Sequence, residues 1–147
     1  MQQEFEPILA PGIHDFTKET LEQNFVAAFP LQERRKYLFE RFGFLLEKVE
    51  ELEMAFEVWV NGSFVTKKEE PGDIDIAFFF DPNQLSTLTP EKVTLFNEIR
   101  NIELSKYRYD CDVRFVPNND MDNRSYWRGW FGYTRSEKVK GFARISI

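Results

Sequence analysis

VWVNGSFVTKKEEPGDIDIAFFF, residues 58–80, reads as strand, turn, polar loop and strand. Its first arm belongs to residues 55–60, AFEVWV, β-branched and aromatic with no breaker, the pattern of a strand covered on both faces. Asn61-Gly62 closes that strand, and Asp81-Pro82 stops the second one, residues 74–80. Residues two apart in a strand share a face, so Asp73 and Asp75 project together while Ile74 and Ile76 turn to the core.

Helical spacing flanks this hairpin. Residues 1–12 read as an extended arm and a turn, by their prolines and glycine. Thr17 is an N-cap for a helix through residue 28, with Leu21, Phe25 and Ala28 on one face, and Pro30 ends it. From residue 31 to about 52, Leu31, Leu38, Phe42, Leu45, Leu46 and Val49 recur at helical spacing. Downstream, Thr89-Pro90 starts a helix to about residue 106 with Val93, Phe96, Ile99 and Ile102 inward. CDVRFV, residues 111–116, is a third strand ended by Pro117. A tryptophan-rich helix over about 123–131 follows, then an edge strand over 141–147. The order predicts an α/β or α+β domain, a mixed sheet of about four strands with flanking helices.

A chain of 147 residues, 42% hydrophobic and 30% charged, has room for one core, so a single domain is expected over 1–147. No apolar run approaches the roughly 20 residues of a membrane helix, and the opening MQQEFEPILA carries acids where a signal peptide carries positive charge. A cytoplasmic protein with no membrane partner is the expectation. The lone Cys111 fits a reducing compartment. Net charge is −6 with a sequence pI near 4.9, which argues against duplex DNA as a partner. Basic residues nevertheless cluster at Arg34, Arg35 and Lys36, at Lys67 and Lys68, and over 124–144, leaving room for a small anionic ligand. Sixteen phenylalanines point to an aromatic core.

The chemistry concentrates on the hairpin. Gly62, with no Cβ, allows a tight turn close to a ligand, and Ser63 adds a hydroxyl beside exposed N–H groups, together a small phosphate cradle. A helical turn beginning in Phe64 to Lys68 would add its N-terminal N–H groups. Two carboxylates as close as Asp73 and Asp75 repel unless a cation intervenes, and Mg²⁺, or Mn²⁺, is a hard ion that takes oxygen ligands together with substrate phosphates. A third carboxylate lets two ions about 3.5–4 Å apart hold attacking and leaving oxygens. Asp110 and Asp112 share a strand face, and Asp112, the more interior, is chosen as the group that orients or deprotonates an attacking hydroxyl. Lys67 and Lys68 are candidates for neutralising β- and γ-phosphates, and Arg114, Arg128, Lys140 and Arg144 for lining the same cleft. Tyr126, Trp127, Trp130, Phe131 and Tyr133 are read first as core, second as base-stacking groups. His14 is read as a surface or capping residue, Cys111 as a small buried hydrophobe, and Glu47, Glu50, Glu51 and Glu53 as a solvated helix face.

Gly62, Ser63, Asp73, Asp75 and Asp112 fall in the order of the DNA polymerase beta-like nucleotidyltransferases, whose pattern is Gly-Ser after one strand, Asp-x-Asp on the next and a third Asp on a later strand. With PGIHDFT near the start and GFARISI at the end, the chain more closely resembles short stand-alone nucleotidyltransferase-like proteins of bacteria and their mobile elements. The resemblance implies a minimal nucleotidyltransferase fold and transfer of a nucleoside monophosphate from an NTP to a protein or RNA hydroxyl. It also implies a place in a toxin–antitoxin or phage-defence module, with a partner protein encoded nearby. A catalytically inactive binding module of the same fold is the alternative. Where many members carry a second glycine after Gly-Ser, this chain has Phe64-Val65-Thr66.

Overall fold

The computed structural model describes residues 5–134, 136 and 138–147. Five strands form one mixed sheet in the order β1-β5-β2-β3-β4. They are β1, Gly12–Asp15; β2, Phe56–Asn61; β3, Ile74–Phe80; β4, Cys111–Pro117; and β5, Gly141–Ser146. β2 runs antiparallel to both β3 and β5, while the β3–β4 and β1–β5 pairs are parallel. The fifth strand is β1, within a segment expected to be an arm and turn. It occupies the edge, so β5 lies inside the sheet rather than at its rim.

The alternation of the strands creates two different faces. Phe56, Val58 and Val60 of β2, Ile74, Ile76 and Phe78 of β3, and Cys111 and Val113 of β4 all enter the main core. Helices α1 (Lys18–Glu22), α2 (Glu33–Glu50) and α4 (Pro90–Ile99) contribute Leu21, Leu38, Phe42, Leu45, Leu46, Val49, Phe96 and Ile99 to it. Aromatic rings knit this core, as expected from composition: Phe78 and Phe115 stack at 4.6 Å, and Phe96 meets both Phe80 and Phe115 edge-on. The opposite face carries a smaller cluster of Trp59, Ala77, Phe79, Val116, Phe131 and Phe142. Helix α6 (Met121–Gly132), capped by the Asp120 side chain, covers part of that face through Phe131 and Trp127. Because β3 is covered on both sides, its sequence IDIAFFF is nearly all apolar.

Several helix boundaries differ from expectation. Helix α1 continues into a π turn, Gln23–Ala27, whose wider winding brings Phe25 and Val26 inward and leaves Ala28 exposed. Helix α2 begins at Glu33, and Leu31 is exposed in the turn before it. The predicted helix from Thr89 divides in two, because Asn101 accepts from the Leu104 N–H and caps a new helix, α5 (Ile102–Tyr109). That break rotates Ile102 out to solvent, and Val93 is also exposed. A short α3, Pro82–Leu85, follows β3 with Asp81 as its cap. Among the described residues, no helix is long and apolar enough to cross a membrane.

Candidate active site

Strand register assembles the candidate site. Asp75 on β3 lies opposite Asn61 of β2 on one side and Asp112 of β4 on the other, so the three form one row across the sheet. The row lies on the α6 side, because Asp75 shares the parity of Ala77 and Phe79. Asp110 does not join it. It ends α5 in the left-handed region (φ 51°), and its carboxylate pairs with Arg41 at 3.2 Å.

The turn after β2 is built around this row. Gly62 has φ 87°, and a Cβ placed there would lie 2.7 Å from Oδ2 of Asp75. Glycine is thus required twice, by the backbone and by the carboxylate above it. Ser63–Val65 form one 3-10 turn and Thr66 is already extended, so the helical turn expected to begin in Phe64 to Lys68 is confined to this single turn. Phe64 and Val65 point into the core, and the Thr66 hydroxyl donates to the Ser63 carbonyl at 2.7 Å.

Two arginines at the start of α2 hold the loop between Gly62 and Asp73. Arg35 is fully buried and its donors reach five oxygens: Oε1 of Gln32 and the carbonyls of Phe25, Phe64, Thr66 and Lys68. Five N–H groups meet five acceptors, so the guanidinium is satisfied with no carboxylate nearby. Burial pulls its pKa down to about 10, and it stays charged. Arg34 donates to the carbonyls of Pro71 and Gly72 at 3.2 and 2.6 Å. The cluster Arg34–Arg35 that suggested an anion site is therefore committed to the backbone of the loop.

Each carboxylate has a different environment. Asp112 is ion-paired with Arg114 at 2.6 Å, and Asp73 with Lys106 at 3.5 Å. Asp75 is pushed up to about 6, first by burial and then by the charges of Asp73 and Asp112; Lys140 and Arg114 act in the opposite direction. The Oδ1 atom of Asn61 is buried without a hydrogen-bond donor. An acceptor left bare beside a destabilised carboxylate is the arrangement a hard cation satisfies, and every nearby ligand atom is oxygen. Asp73, Asp75, Asp112 and Asn61 are thus the residues that would hold Mg²⁺ or Mn²⁺. In the present arrangement, among the described residues, no three His, Cys, Asp or Glu side chains converge as a metal-binding group; Lys106 and Arg114 engage two of the carboxylates.

The predicted cationic residues separate. Lys67 pairs with Glu6 at 3.0 Å and Lys68 lies over the Phe5 ring, so both meet the N-terminal arm. Arg144 is tied to Asp15. Arg114 and Lys140 are the cations whose charge reaches Asp75. Sequence reasoning missed Asn61, treated only as the end of a strand, and the role of Arg35, placed in a basic cluster open to a small anionic ligand. Asn61 had a signal: it shares strand parity with Trp59 on the face of the aspartates. Arg35 had none, because its five acceptors are contributed by separate segments. Of the minor expectations, Cys111 is buried, the Glu47 to Glu53 acids are exposed, and His14 lies on β1 with Nε2 2.6 Å from the Ala10 carbonyl. The aromatic residues around α6 divide: Phe131 is buried and Trp127 half-buried, but Tyr126, Trp130 and Tyr133 are exposed.

No curated protein and no solved structure matches this chain. One family does match, over residues 2–146, and the chain belongs to it: DUF6932, a family of unknown function.

Proposed function

We propose that this protein is a metal-dependent nucleotidyltransferase that moves a nucleoside monophosphate from an NTP to a hydroxyl of a protein or RNA. The observation that carries the reading is the contact of Gly62 with Asp75, which joins the Gly-Ser turn to the row Asn61, Asp75, Asp112. In this reading the turn at Gly62-Ser63 receives phosphates, Asp73 and Asp75 hold Mg²⁺ with Asn61 beside them, and Asp112 orients the acceptor hydroxyl. Positioning and charge neutralisation are the main demands of such a transfer, and these residues supply both. Lys140 and Arg114 take the phosphate-neutralising role first given to Lys67 and Lys68. A toxin–antitoxin or phage-defence setting in the cytoplasm, with a partner encoded nearby, follows from the family resemblance alone.

Incubation with α-labelled NTPs, Mg²⁺ and candidate acceptors tests the activity: label should transfer with wild type and be lost in Asp73→Ala and Asp75→Ala. No transfer with any of the four NTPs and the natural partner present would reject turnover. A second reading, an inactive binding module, is favoured by the Arg114–Asp112 ion pair, which occupies the third carboxylate. It predicts thermal stabilisation by Mg²⁺-NTP without any transfer.

A further inference from the structure

Helix α6 turns only part of its aromatic surface inward. Phe131 and Trp127 pack toward Trp59 and Phe142, while Tyr126 is 57% exposed, Trp130 62% and Tyr133 48%. Tyr126 and Trp130 lie at i and i+4 on one stripe of the helix, and Tyr133 follows it as the extended C-cap residue, bridged to Val139. At about 1.5 Å rise per residue Tyr126 and Trp130 stand about 6 Å apart along the axis, with the Tyr133 ring beyond them.

Topology brings the stripe to the carboxylates. Helix α6 follows the C-terminal end of β4 and runs back across the sheet, and its last turn leads into β5, which starts at the end of the sheet that holds Asn61. The Lys140 N–H donates to the Gly132 carbonyl, and the charge of Lys140 reaches Asp75. From the other direction, Arg114, paired with Asp112, lies 5.6 Å from the Trp127 ring. Residues 124–144 hold six Lys and Arg against the single acid Glu137, within a chain of net charge −6; Arg124 pairs with Glu57 and Arg144 with Asp15, while Arg128 and Lys138 are exposed beside the rings. Beyond Tyr133, a groove of about 260 Å³ opens between Phe5, Glu6 and Pro7 and the residues Thr134, Lys138 and Val139. Exposed aromatic rings at successive turns, beside locally concentrated positive charge, are the two elements of a single-strand binding surface.

We infer that Tyr126, Trp130 and Tyr133, with Lys138 at their end, form a docking surface for a single-stranded polynucleotide, which delivers its terminal hydroxyl to the carboxylate row. The inference rests on the nucleotidyltransfer reading only for the strand's role as acceptor; binding itself is independent of turnover. A nucleobase of the NTP would occupy one ring at most, whereas three separately exposed rings accommodate successive bases of a strand.

Fluorescence anisotropy of labelled 12-nucleotide RNA and DNA single strands, titrated with the full chain at low and at physiological salt, tests this directly. Wild type should bind the single strand more tightly than the matching duplex, with affinity falling as salt rises. Trp130→Ala and Tyr126→Ala should each weaken binding about tenfold, the scale of one lost base stack. Both residues are exposed, so the melting temperature should hold. Lys48→Ala, an exposed lysine of α2 on the other side of the sheet, serves as the control and should bind within about twofold. Preference for RNA over DNA would identify the source of the strand. No binding by wild type, equal loss in Lys48→Ala and the aromatic variants, or a stripe that instead mediates dimers or docks a protein without affecting polynucleotide affinity would each overturn the inference. Mg²⁺-NTP stabilisation measured on the same samples separates the two ideas: retained with no strand binding, it leaves the transferase reading standing; absent with stripe-dependent binding, it does the reverse.

Discussion

Gly62 lies beneath the carboxylate of Asp75, so closely that a Cβ on residue 62 would sit 2.7 Å from Oδ2. Gly62→Ala therefore meets two penalties, the positive φ of 87° and the clash. With ψ −166° this is a region open essentially to glycine alone, and the backbone part is about 1–3 kcal/mol. Urea unfolding should show at least that loss. In the Asp75→Ala background the clash disappears and the cost of Gly62→Ala should shrink toward the backbone part; strict additivity of the two substitutions would disprove the contact.

Asp75 makes stability depend on pH with a definite sign. Its pKa is raised from 3.8 to about 6, so the folded state holds the proton more tightly than the unfolded state. The stabilisation is complete below pH 3.8 and is lost as pH rises through about 6. The shift corresponds to about 3 kcal/mol at most. In EDTA at pH 7.5, Asp75→Asn should be the more stable protein, with the gap closing toward pH 4. Mg²⁺ should stabilise wild type and leave Asp75→Asn unchanged. Melting curves across this range check both statements.

Arg35 is a positioning residue for the loop after Gly62. Arg35→Met would leave the carbonyls of Phe25, Phe64, Thr66 and Lys68 without this donor, in a buried place. At about 1–3 kcal/mol for each unsatisfied group, a loss of about 4 kcal/mol or more is expected after relaxation. Arg35→Lys should not restore stability, since an ammonium has three donors and cannot span five separated acceptors. Equilibrium unfolding of both variants decides the point, and full rescue by lysine would contradict it.

Arg114 competes with any cation for Asp112. Arg114→Gln should release the carboxylate and raise Mn²⁺ affinity several-fold, read by electron paramagnetic resonance or calorimetry. If Arg114 also neutralises phosphate, the same variant should bind Mg²⁺-NTP more weakly. Unchanged Mn²⁺ affinity would show that Asp112 takes no part in the metal site.

Much of this architecture is legible without coordinates. β2, β3 and β4 stand where breaker residues and apolar patterning put them, and Thr17 and Thr89 cap the helices expected of them. Strand β1 was hidden because GIHD has too few residues to show alternation, and its pairing with β5 joins segments at opposite ends of the chain. The break at Asn101 does not show in the apolar pattern, because Ile99 and Ile102 keep helical spacing across it, although a capping residue lies between them.

The sequence by itself determined the hairpin: a strand ending at Asn61-Gly62, a polar loop, and a strand opening on Asp73-Ile74-Asp75, since breakers and two-residue alternation are local properties. Only the tertiary structure decided what that hairpin faces. The register that aligns Asn61, Asp75 and Asp112, the burial of Arg35 under the loop, and the pairing of Arg114 with Asp112 all depend on how sheet and helices pack. Strand periodicity says which face a residue takes; which residues meet there is set by long-range pairing and burial, which minimise bare polar groups across the whole fold.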